Sequence, residues 1–245
     1  MSEADRIVSE YARRRAEIEP ELYAPANPAV VFIRQALERA VTDELRRAGA
    51  LPLAERRILD AGCGGGQWLA DLETWGAGRE RLAGLDLVSE RVEAARARLP
   101  GADIRRGDAA ALPWEDGSFD LVLQSMMFSS ILDPAVRTTA ASELARVLAP
   151  GGLVLWYDFF TDSPRNPNVR GVGRRELRRL FPGFDVRWRR VTLAPPLIRL
   201  LVPRARPVAA ALQALKLLDT HALAVLRTGA GRLPSGGPAR KRRGR

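Results

Sequence analysis

Four glycines lie close together between a short apolar run and a segment with helical spacing. They are Gly62, Gly64, Gly65 and Gly66. A turn without side chains lets a ligand approach the backbone, and the helix that follows offers unpaired N–H groups in its first turn. The cluster therefore predicts a site for a polar ligand. The dinucleotide pattern G-x-G-x-x-G is not satisfied, because its last position counted from Gly62 is Gln67, and this disfavours pyrophosphate binding.

Acidic residues mark the same region at positions typical of successive strand ends. Asp60 stands just before the glycines, Asp86 ends the run Leu82–Asp86, and Asp108 follows the next predicted strand. Acids at consecutive strand ends lie along one crevice at the carboxyl edge of a parallel sheet. There Asp86 suits two ribose hydroxyls and Asp108 suits an exocyclic adenine amine. Asp60 suits a cationic ligand better than a pyrophosphate.

These residues resemble the class I S-adenosylmethionine-dependent methyltransferases. The resemblance rests on five segments in the expected order: Asp60–Gly66, Asp86, Gly107–Ala109, Phe119–Leu123 and Leu144–Gly152. It implies an α/β fold with a doubly wound, seven-stranded, mostly parallel Rossmann-like sheet whose last strand is reversed. It also implies S-adenosylmethionine as cofactor and S-adenosylhomocysteine as product.

The resemblance further implies which residues hold the cofactor. The glycine loop is expected to contact it, Asp86 to bind its ribose, and Asp108 with Ala109 to lie at its adenine. The full expected set is Asp60, Gly62, Cys63, Gly64, Asp86, Leu87, Asp108, Ala109 and Gln124.

Methyl transfer from a sulfonium is an in-line displacement on an activated methyl group. The protein mainly has to position the acceptor and, where the acceptor is protonated, remove a proton. The sequence therefore assigns no catalytic residue. The candidates are Tyr157 and Asp158 at the end of the fifth predicted strand, and His221, whose residue type suits a general base.

The residues after the fourth predicted strand bear on the acceptor. Met126, Met127 and Phe128 are expected either to line an apolar acceptor pocket or to belong to the core. This segment lacks the Asn/Asp-Pro-Pro-aromatic sequence typical of enzymes that methylate base amines. Base C5 methylation needs a cysteine nucleophile, yet Cys63 lies inside the glycine loop, where it is expected to fill space. Both observations disfavour nucleic-acid bases as acceptors.

Two further segments are candidates to contact ligands. In the polar loop 163–171, Arg165 and Arg170 either clamp an anionic group of the substrate or lie on a solvated loop. Three residues of the N-terminal extension are candidates to close over the cofactor: Tyr11, Tyr23 and Arg34.

The chain divides into three parts by pattern. Residues 1–50 have helical spacing and predict an N-terminal helical extension. Residues 51–228 alternate short apolar runs with helical segments and predict the methyltransferase domain. Within it, the Pro-rich segment 193–219 predicts two short helical pieces, which either cap the substrate or pack on the sheet. The basic segment 229–245 predicts a disordered tail.

Composition excludes several classes of protein. The 245 residues are 46% hydrophobic, which suffices for one sizeable core. One cysteine and one histidine leave too few thiolates and imidazoles for a transition-metal site, so no metal is predicted. No apolar run has the length of a transmembrane helix, and the first residues lack a secretory signal pattern. These observations predict a cytoplasmic protein.

The net charge of +10 is concentrated late in the chain, where residues 151–245 hold 20 basic and five acidic residues. This third of the chain is either a solvated basic surface or the contact for an anionic partner, with a membrane surface among the options and nucleic acid disfavoured. The favoured function is methylation, chiefly O-methylation, of a small-molecule, glycan or lipid-linked acceptor. The alternatives are an RNA methyltransferase and a cofactor-binding regulator without transfer activity.

Overall fold

In the computed structural model, residues 1–163 and 166–228 are described, and they alternate helices with strands after a helical start. The predictions for Pro164, Arg165 and the tail 229–245 lie outside these residues. The helices are α1 (Glu3–Glu17), α2 (Pro28–Arg47), α3 (Gln67–Thr74), α4 (Ser89–Arg98), α5 (Pro134–Arg146), α6 (Arg174–Leu180) and α7 (Pro195–Leu215). The strands are β1 (Ile58–Ala61), β2 (Leu82–Asp86), β3 (Asp103–Arg106), β4 (Phe119–Ser125), β5 (Leu148–Phe159), β6 (Phe184–Leu193) and β7 (Asp219–Thr228).

Side-chain caps determine where the first two helices begin. The Ser2 hydroxyl accepts from the backbone N–H of Asp5, and the Asp5 carboxylate accepts from the backbone N–H of Ser2, which forms a capping box before α1. The Asn27 side chain accepts from the N–H of Ala29 before α2, where Pro28 occupies the first helical position. Both helices lie within residues 1–50, where helical spacing predicts an extension.

The strands form one sheet in the order β3-β2-β1-β4-β5-β7-β6. Strands β1 to β5 pair in parallel, whereas β7 is antiparallel to both β5 and β6. This confirms the doubly wound α/β fold with a reversed last strand. Because the chain fills the sheet outward in both directions from β1 and β4, their carboxyl ends border a crevice at the switch point.

Helices cover both faces of the sheet, so its central strands are buried on both sides. Every residue of β1 and β2 is buried. One core lies around Trp156, with Phe128 and Phe181 against it, and the other includes Leu45 and Leu69 on the opposite side of the sheet. Double burial explains why these strands are continuous apolar runs in the sequence.

The segment predicted as an insertion forms one kinked helix at the sheet edge. Helix α7 is interrupted at Ala205, which has non-helical φ and ψ of −149° and 60°, between Pro203 and Pro207. Its two halves correspond to the two predicted helical pieces. The helix packs on α2 through a small core of Ala29, Phe32, Leu193, Ile198, Val202 and Ala209.

Candidate active site

The glycine loop between β1 and α3 has a backbone that depends on its glycines. Gly62, Gly64 and Gly66 have positive φ of 81°, 53° and 75°. A Cβ on Gly62 would lie 2.9 Å from the Cβ of Met127, and a Cβ on Gly66 would lie 3.1 Å from that of Ala95. Gly62 and Gly66 therefore combine left-handed backbone with close packing, which favours glycine at these two positions, whereas a Cβ on Gly64 would meet nothing within 4 Å.

Asp86 connects the end of β2 to the glycine loop. Its Oδ2 accepts from the backbone N–H of Gly64 at 2.9 Å, and its Oδ1 accepts from the N–H of Val88 at 2.9 Å. Each carboxylate oxygen has more than one lone pair, so both oxygens retain capacity to accept from a ligand. The carboxylate is buried and lines the cavity described below.

The Asp60 side chain lies in the protein interior, at the end of β1 just before the glycine loop. Its side chain is buried, and its Oδ1 has no hydrogen-bond partner among the described residues. Burial, and secondly the negative charge of Asp86, raise the pKa of Asp60 to about 8. Since Asp60 also lines the cavity, a cationic ligand there would satisfy its carboxylate. The orphaned oxygen fits a ligand that carries positive charge, as S-adenosylmethionine does.

A cavity of about 390 Å³ opens at the carboxyl ends of β1, β2 and β4. This volume is in the range of small-molecule sites. Asp108 and Ala109 lie on its β3 side, where the Asp108 Oδ1 holds a turn by accepting from the N–H of Ala110 at 2.9 Å. Of the expected cofactor set, these residues line the cavity: Asp60, Gly62, Cys63, Gly64, Asp86, Leu87, Asp108 and Ala109.

The side chains of two members of that expected set, Gln124 and Cys63, contact other residues of the protein. Gln124 is fully buried and is not among the described residues that line the cavity, because its amide contacts the carbonyl of Tyr157 and the N–H of Met127. Its expected contact with the cofactor does not match this position. The Cys63 side chain packs toward Gly84 on β2, where an added Cβ would lie 2.9 Å from its Sγ. Burial raises the pKa of the Cys63 thiol, which is unfavourable for a nucleophile.

Helix α1 forms one wall of the cavity, lined by Glu3, Ala4, Ile7 and Tyr11. The Tyr11 hydroxyl lies 3.2 Å from the Ser130 Oγ, and the Arg91 guanidinium lies 3.9 Å from the centre of the Tyr11 ring. Of the three candidates in the extension, only Tyr11 lines the cavity. Tyr23 is exposed, and Arg34 pairs with Glu38 and Asp71.

The region after β4 supplies the apolar side of the cavity. Met126 and Met127 line it together with Ile131 and Val136. Phe128 instead belongs to the core, with its ring centre 4.5 Å from that of Trp156. The two methionines thus line the cavity, whereas Phe128 belongs to the core, so each of the two alternatives expected for this segment applies to part of it.

Tyr157 and Asp158, two of the catalytic candidates, are not among the described residues that line the cavity. The Tyr157 hydroxyl lies 3.0 Å from the Thr192 Oγ1, and burial raises its pKa. Asp158 accepts from the backbone N–H groups of Ser129 and Phe159, and burial raises its pKa to about 6. Both side chains connect β5 to neighbouring segments, and this does not match a direct role on the acceptor.

His221, the third candidate, also lies away from the described cavity lining. Its ring stacks on Tyr157 and lies 4.0 Å from the ring centre of Phe159, because β7 pairs with β5 in antiparallel register. Burial lowers the pKa of His221 to about 3, so the imidazole is neutral at neutral pH. Its expected role as general base does not match this position.

The other predicted contacts lie apart from the cavity. Arg170 is exposed, and its carbonyl accepts from the buried guanidinium of Arg137 at 2.8 Å. Neither Arg170 nor any described residue of the segment 193–219 lines the cavity. The segment packs on α2, whereas the two alternatives predicted from the sequence were a substrate cap and packing on the sheet.

Sequence reasoning missed Glu3, Ile7 and Arg91. Arg91 lies on the helix that follows Asp86, so its position near the strand end could have been predicted from the local sequence. Glu3 and Ile7 reach the cavity only through the docking of α1, in which the Arg6 guanidinium donates to the Ser130 carbonyl. No local motif marks such a contact.

The described part of the chain offers neither a cluster of metal ligands nor a helix that could cross a membrane. Residues 1–163 and 166–228 contain no group of three or more His, Cys, Asp or Glu arranged to hold a metal ion. Within the same ranges, no helix combines the length and hydropathy needed to cross a bilayer.

Residues 58–152 match a family model described as a methyltransferase domain. A Mycolicibacterium smegmatis protein named as a probable S-adenosylmethionine-dependent methyltransferase is 38% identical over 146 residues, 54% of this chain and 53% of that protein. The demethylmenaquinone methyltransferase of Lactococcus lactis is 34% identical over 165 residues, 65% of this chain and 62% of that protein.

A solved S-adenosylmethionine-dependent methyltransferase of Thermotoga maritima has the same fold, with a TM-score of 0.57 at 19% identity, over 93% of this chain and 99% of that chain. The chain spans only about half to three fifths of the length of the two curated relatives. The matched segment contains the glycine loop, Asp86 and Asp108, so the family match and the cavity coincide. Residues 58–152 therefore contain a methyltransferase domain similar to those of S-adenosylmethionine-dependent methyltransferases, and the described chain has their fold.

Proposed function

We propose that this chain transfers the methyl group of S-adenosylmethionine to a small, largely apolar acceptor. One observation carries the proposal: the cavity is polar on one side and apolar on the other. Asp60, Asp86 and Asp108 lie over β1, β2 and β3, whereas Met126 and Met127 follow β4. A charged nucleoside and an apolar acceptor would therefore meet above the boundary between β1 and β4.

The residues of the chain have distinct tasks in this reaction. S-adenosylmethionine supplies a methyl group on positively charged sulfur. Asp86 accepts from the ribose hydroxyls, and Asp108 with Ala109 positions the adenine. The Asp60 carboxylate favours positive charge near the glycine loop. Helix α1 and the methionines exclude water and hold the acceptor in line with the methyl group, which is the main demand of this displacement.

The apolar side of the cavity favours an acceptor with an acidic hydroxyl, because Met126, Met127, Ile131 and Val136 cannot take up a proton and Asp60 lies on the opposite side. The Arg6 guanidinium holds the pKa of Glu3 below its usual range, which makes Glu3 a weak base. No histidine lines the described cavity. With an acceptor oxygen that ionises in solution, the bound cofactor would supply the methyl group and no residue of the chain would have to remove a proton. We therefore propose O-methylation of an acidic hydroxyl. The relative named as a demethylmenaquinone methyltransferase supports a small-molecule acceptor.

Transfer of an isotopically labelled methyl group to a fractionated cell extract tests this proposal. Label should appear in a small, organic-soluble compound, and mass fragmentation should locate it on oxygen. The Asp86→Ala variant provides the background. Label that ribonuclease releases would establish RNA as the acceptor. If no fraction contains label although calorimetry shows that the protein binds the cofactor, the protein would be a regulator without transfer activity.

A further inference from the structure

Exposed large apolar side chains are concentrated on one part of the surface. Among the described residues they are Met1, Tyr23, Leu200, Val208, Leu215, Leu217 and Leu218. Five of these seven belong to α7 and the turn after it. The Tyr23 ring lies beside them, with the guanidinium of Arg199 on α7 5.5 Å from its centre. We call Leu200, Val208, Leu215, Leu217 and Leu218 the α7 face.

The α7 face is not needed to attach the helix to the protein. The opposite side of α7 already packs on α2, with Ile198 and Ala209 fully buried. Leu215 and Leu217 are 60% and 74% exposed. Several exposed large apolar side chains within one short segment are typical of a contact with a partner or a membrane. The α7 face is therefore free to make a second contact.

All charges in this segment have one sign. Residues 194–218 contain Arg199, Arg204, Arg206 and Lys216, and no acidic residue. Arg204 and Arg206 are exposed, and the Arg206 guanidinium donates to the Gln35 side chain at 3.2 Å. The Lys216 side chain is 50% exposed and lies 3.8 Å from the Asp219 carboxylate just beyond the segment, so the arginines supply most of its free positive charge. A helix that combines exposed leucines with basic residues is typical of segments that lie in the interfacial plane of an anionic membrane.

A second copy of the chain is a poorer occupant of this face. In a twofold contact the same patch meets itself, so the basic residues of one copy would face the equally basic patch of the other. No acidic residue of the segment would balance them. An anionic bilayer supplies both an apolar interior for the leucines and negative headgroups for the arginines.

We propose that the α7 face binds the surface of anionic membranes, with its leucines inserted among the acyl chains and its basic residues at the headgroups. The contact holds the protein at the surface without spanning the bilayer. It is independent of the proposed methyl transfer, and its tests do not require activity.

Flotation of the full chain with lipid vesicles tests the proposal. The protein should float with vesicles of phosphatidylcholine mixed with phosphatidylglycerol and stay in solution with phosphatidylcholine alone. The double variant Leu215→Ser, Leu217→Ser should bind at least about tenfold more weakly, because two exposed leucines no longer insert. Its folding should be unchanged, as shown by an unaltered melting curve and unaltered calorimetric binding of S-adenosylhomocysteine.

A matched pair of charge variants separates a local contact from general attraction. Arg204→Gln with Arg206→Gln should weaken binding by roughly tenfold or more, since each basic residue near an anionic surface contributes about a factor of five. Arg178→Gln with Arg179→Gln removes the same charge from exposed positions on α6 and should change binding far less. The segment 229–245 is the same in every variant, so differences report the α7 face.

A fluorescent label locates the contact directly. Cys63 is buried, so a cysteine introduced at an exposed position can be labelled selectively. An environment-sensitive dye at Leu217→Cys should brighten and shift to the blue with anionic vesicles. The same dye at Thr138→Cys, exposed on α5, should not.

Three results would overturn the proposal. Failure of the wild-type protein to bind anionic vesicles would exclude a membrane as the partner of the α7 face. Equal binding by wild type and the leucine variant would place the contact elsewhere on the chain. A concentration-dependent dimer that the leucine substitutions abolish, without vesicle binding, would assign the face to a second copy.

Discussion

The backbone N–H of Gly64 donates to the Asp86 Oδ2 at 2.9 Å, although the two residues are 22 positions apart in the chain. This hydrogen bond connects the glycine loop to the end of β2. The same carboxylate lines the cavity, so one side chain both shapes the loop and faces the ligand. Asp86 is therefore the residue at which the fold and the proposed chemistry are most tightly joined.

Substitution of Asp86 by alanine should weaken binding of S-adenosylhomocysteine by about 1–3 kcal/mol, through loss of hydrogen bonds to the ribose. Titration calorimetry on the folded variant measures this change. Asp185→Ala removes an exposed carboxylate on β6 and should leave the affinity unchanged. Equal affinities of wild type and Asp86→Ala would refute the assignment of Asp86.

Replacement of Asp60 by asparagine should stabilise the ligand-free protein at alkaline pH. The folded protein raises the pKa of Asp60 to about 8 through burial, against an ordinary value of 3.8. Between these values the unfolded chain releases a proton that the folded chain retains, so Asp60 makes stability fall as pH rises from about 4 toward 8.

Urea unfolding of wild type and Asp60→Asn across this pH range measures the effect. The two proteins should differ least near pH 4, and the stability of the variant relative to wild type should rise by several kcal/mol toward pH 8. Asp185→Asn provides the exposed control. A difference that does not depend on pH would contradict the buried, protonated carboxyl.

Loss of the Tyr11 side chain should open the α1 wall of the cavity. Tyr11→Ala removes both the contact with Arg91 and the hydrogen bond with Ser130, each contributing about 1 kcal/mol to the docking of α1, so the affinity for S-adenosylhomocysteine should fall by up to about thirtyfold. The affinity of Tyr11→Phe should lie between those of Tyr11→Ala and wild type. Tyr23→Ala, which changes an exposed ring, should bind normally. If Tyr11→Ala also binds normally, α1 has no part in holding the cofactor.

Methyl transfer should persist in the presence of EDTA. The described residues present no group of ligands for a metal ion, and the displacement on a sulfonium methyl requires none. The rate of transfer with and without chelator measures this. Activity that EDTA abolishes and a divalent ion restores would establish a metal requirement.

The sequence sufficed for the fold and for the meeting of the acidic residues with the glycine loop, because these depend on local patterns. A glycine loop after a buried strand and an acid at the next strand end determine their own positions relative to the sheet. The reversed last strand followed from the resemblance. Asp60, Gly64, Asp86 and Asp108 accordingly line one cavity in the structure.

The acceptor side was harder to predict because it depends on packing between distant segments. Tyr157, Asp158 and His221 stand at strand ends in the sequence, yet Thr192, Ser129 and Phe159 cover them in the fold. Tertiary contacts of this kind leave no periodicity along the chain. For the same reason, the apolar pieces of 193–219 indicated helices but not the α2 surface on which they pack.

A crystal structure of the full chain with S-adenosylhomocysteine tests the central claim most directly. The account predicts both ribose hydroxyls within hydrogen-bond distance of the Asp86 carboxylate, with the adenine beside Asp108 and Ala109. It also predicts the thioether sulfur facing the methionines after β4. A nucleoside bound elsewhere on the protein, or bound in the cavity with its ribose away from Asp86, would contradict the account.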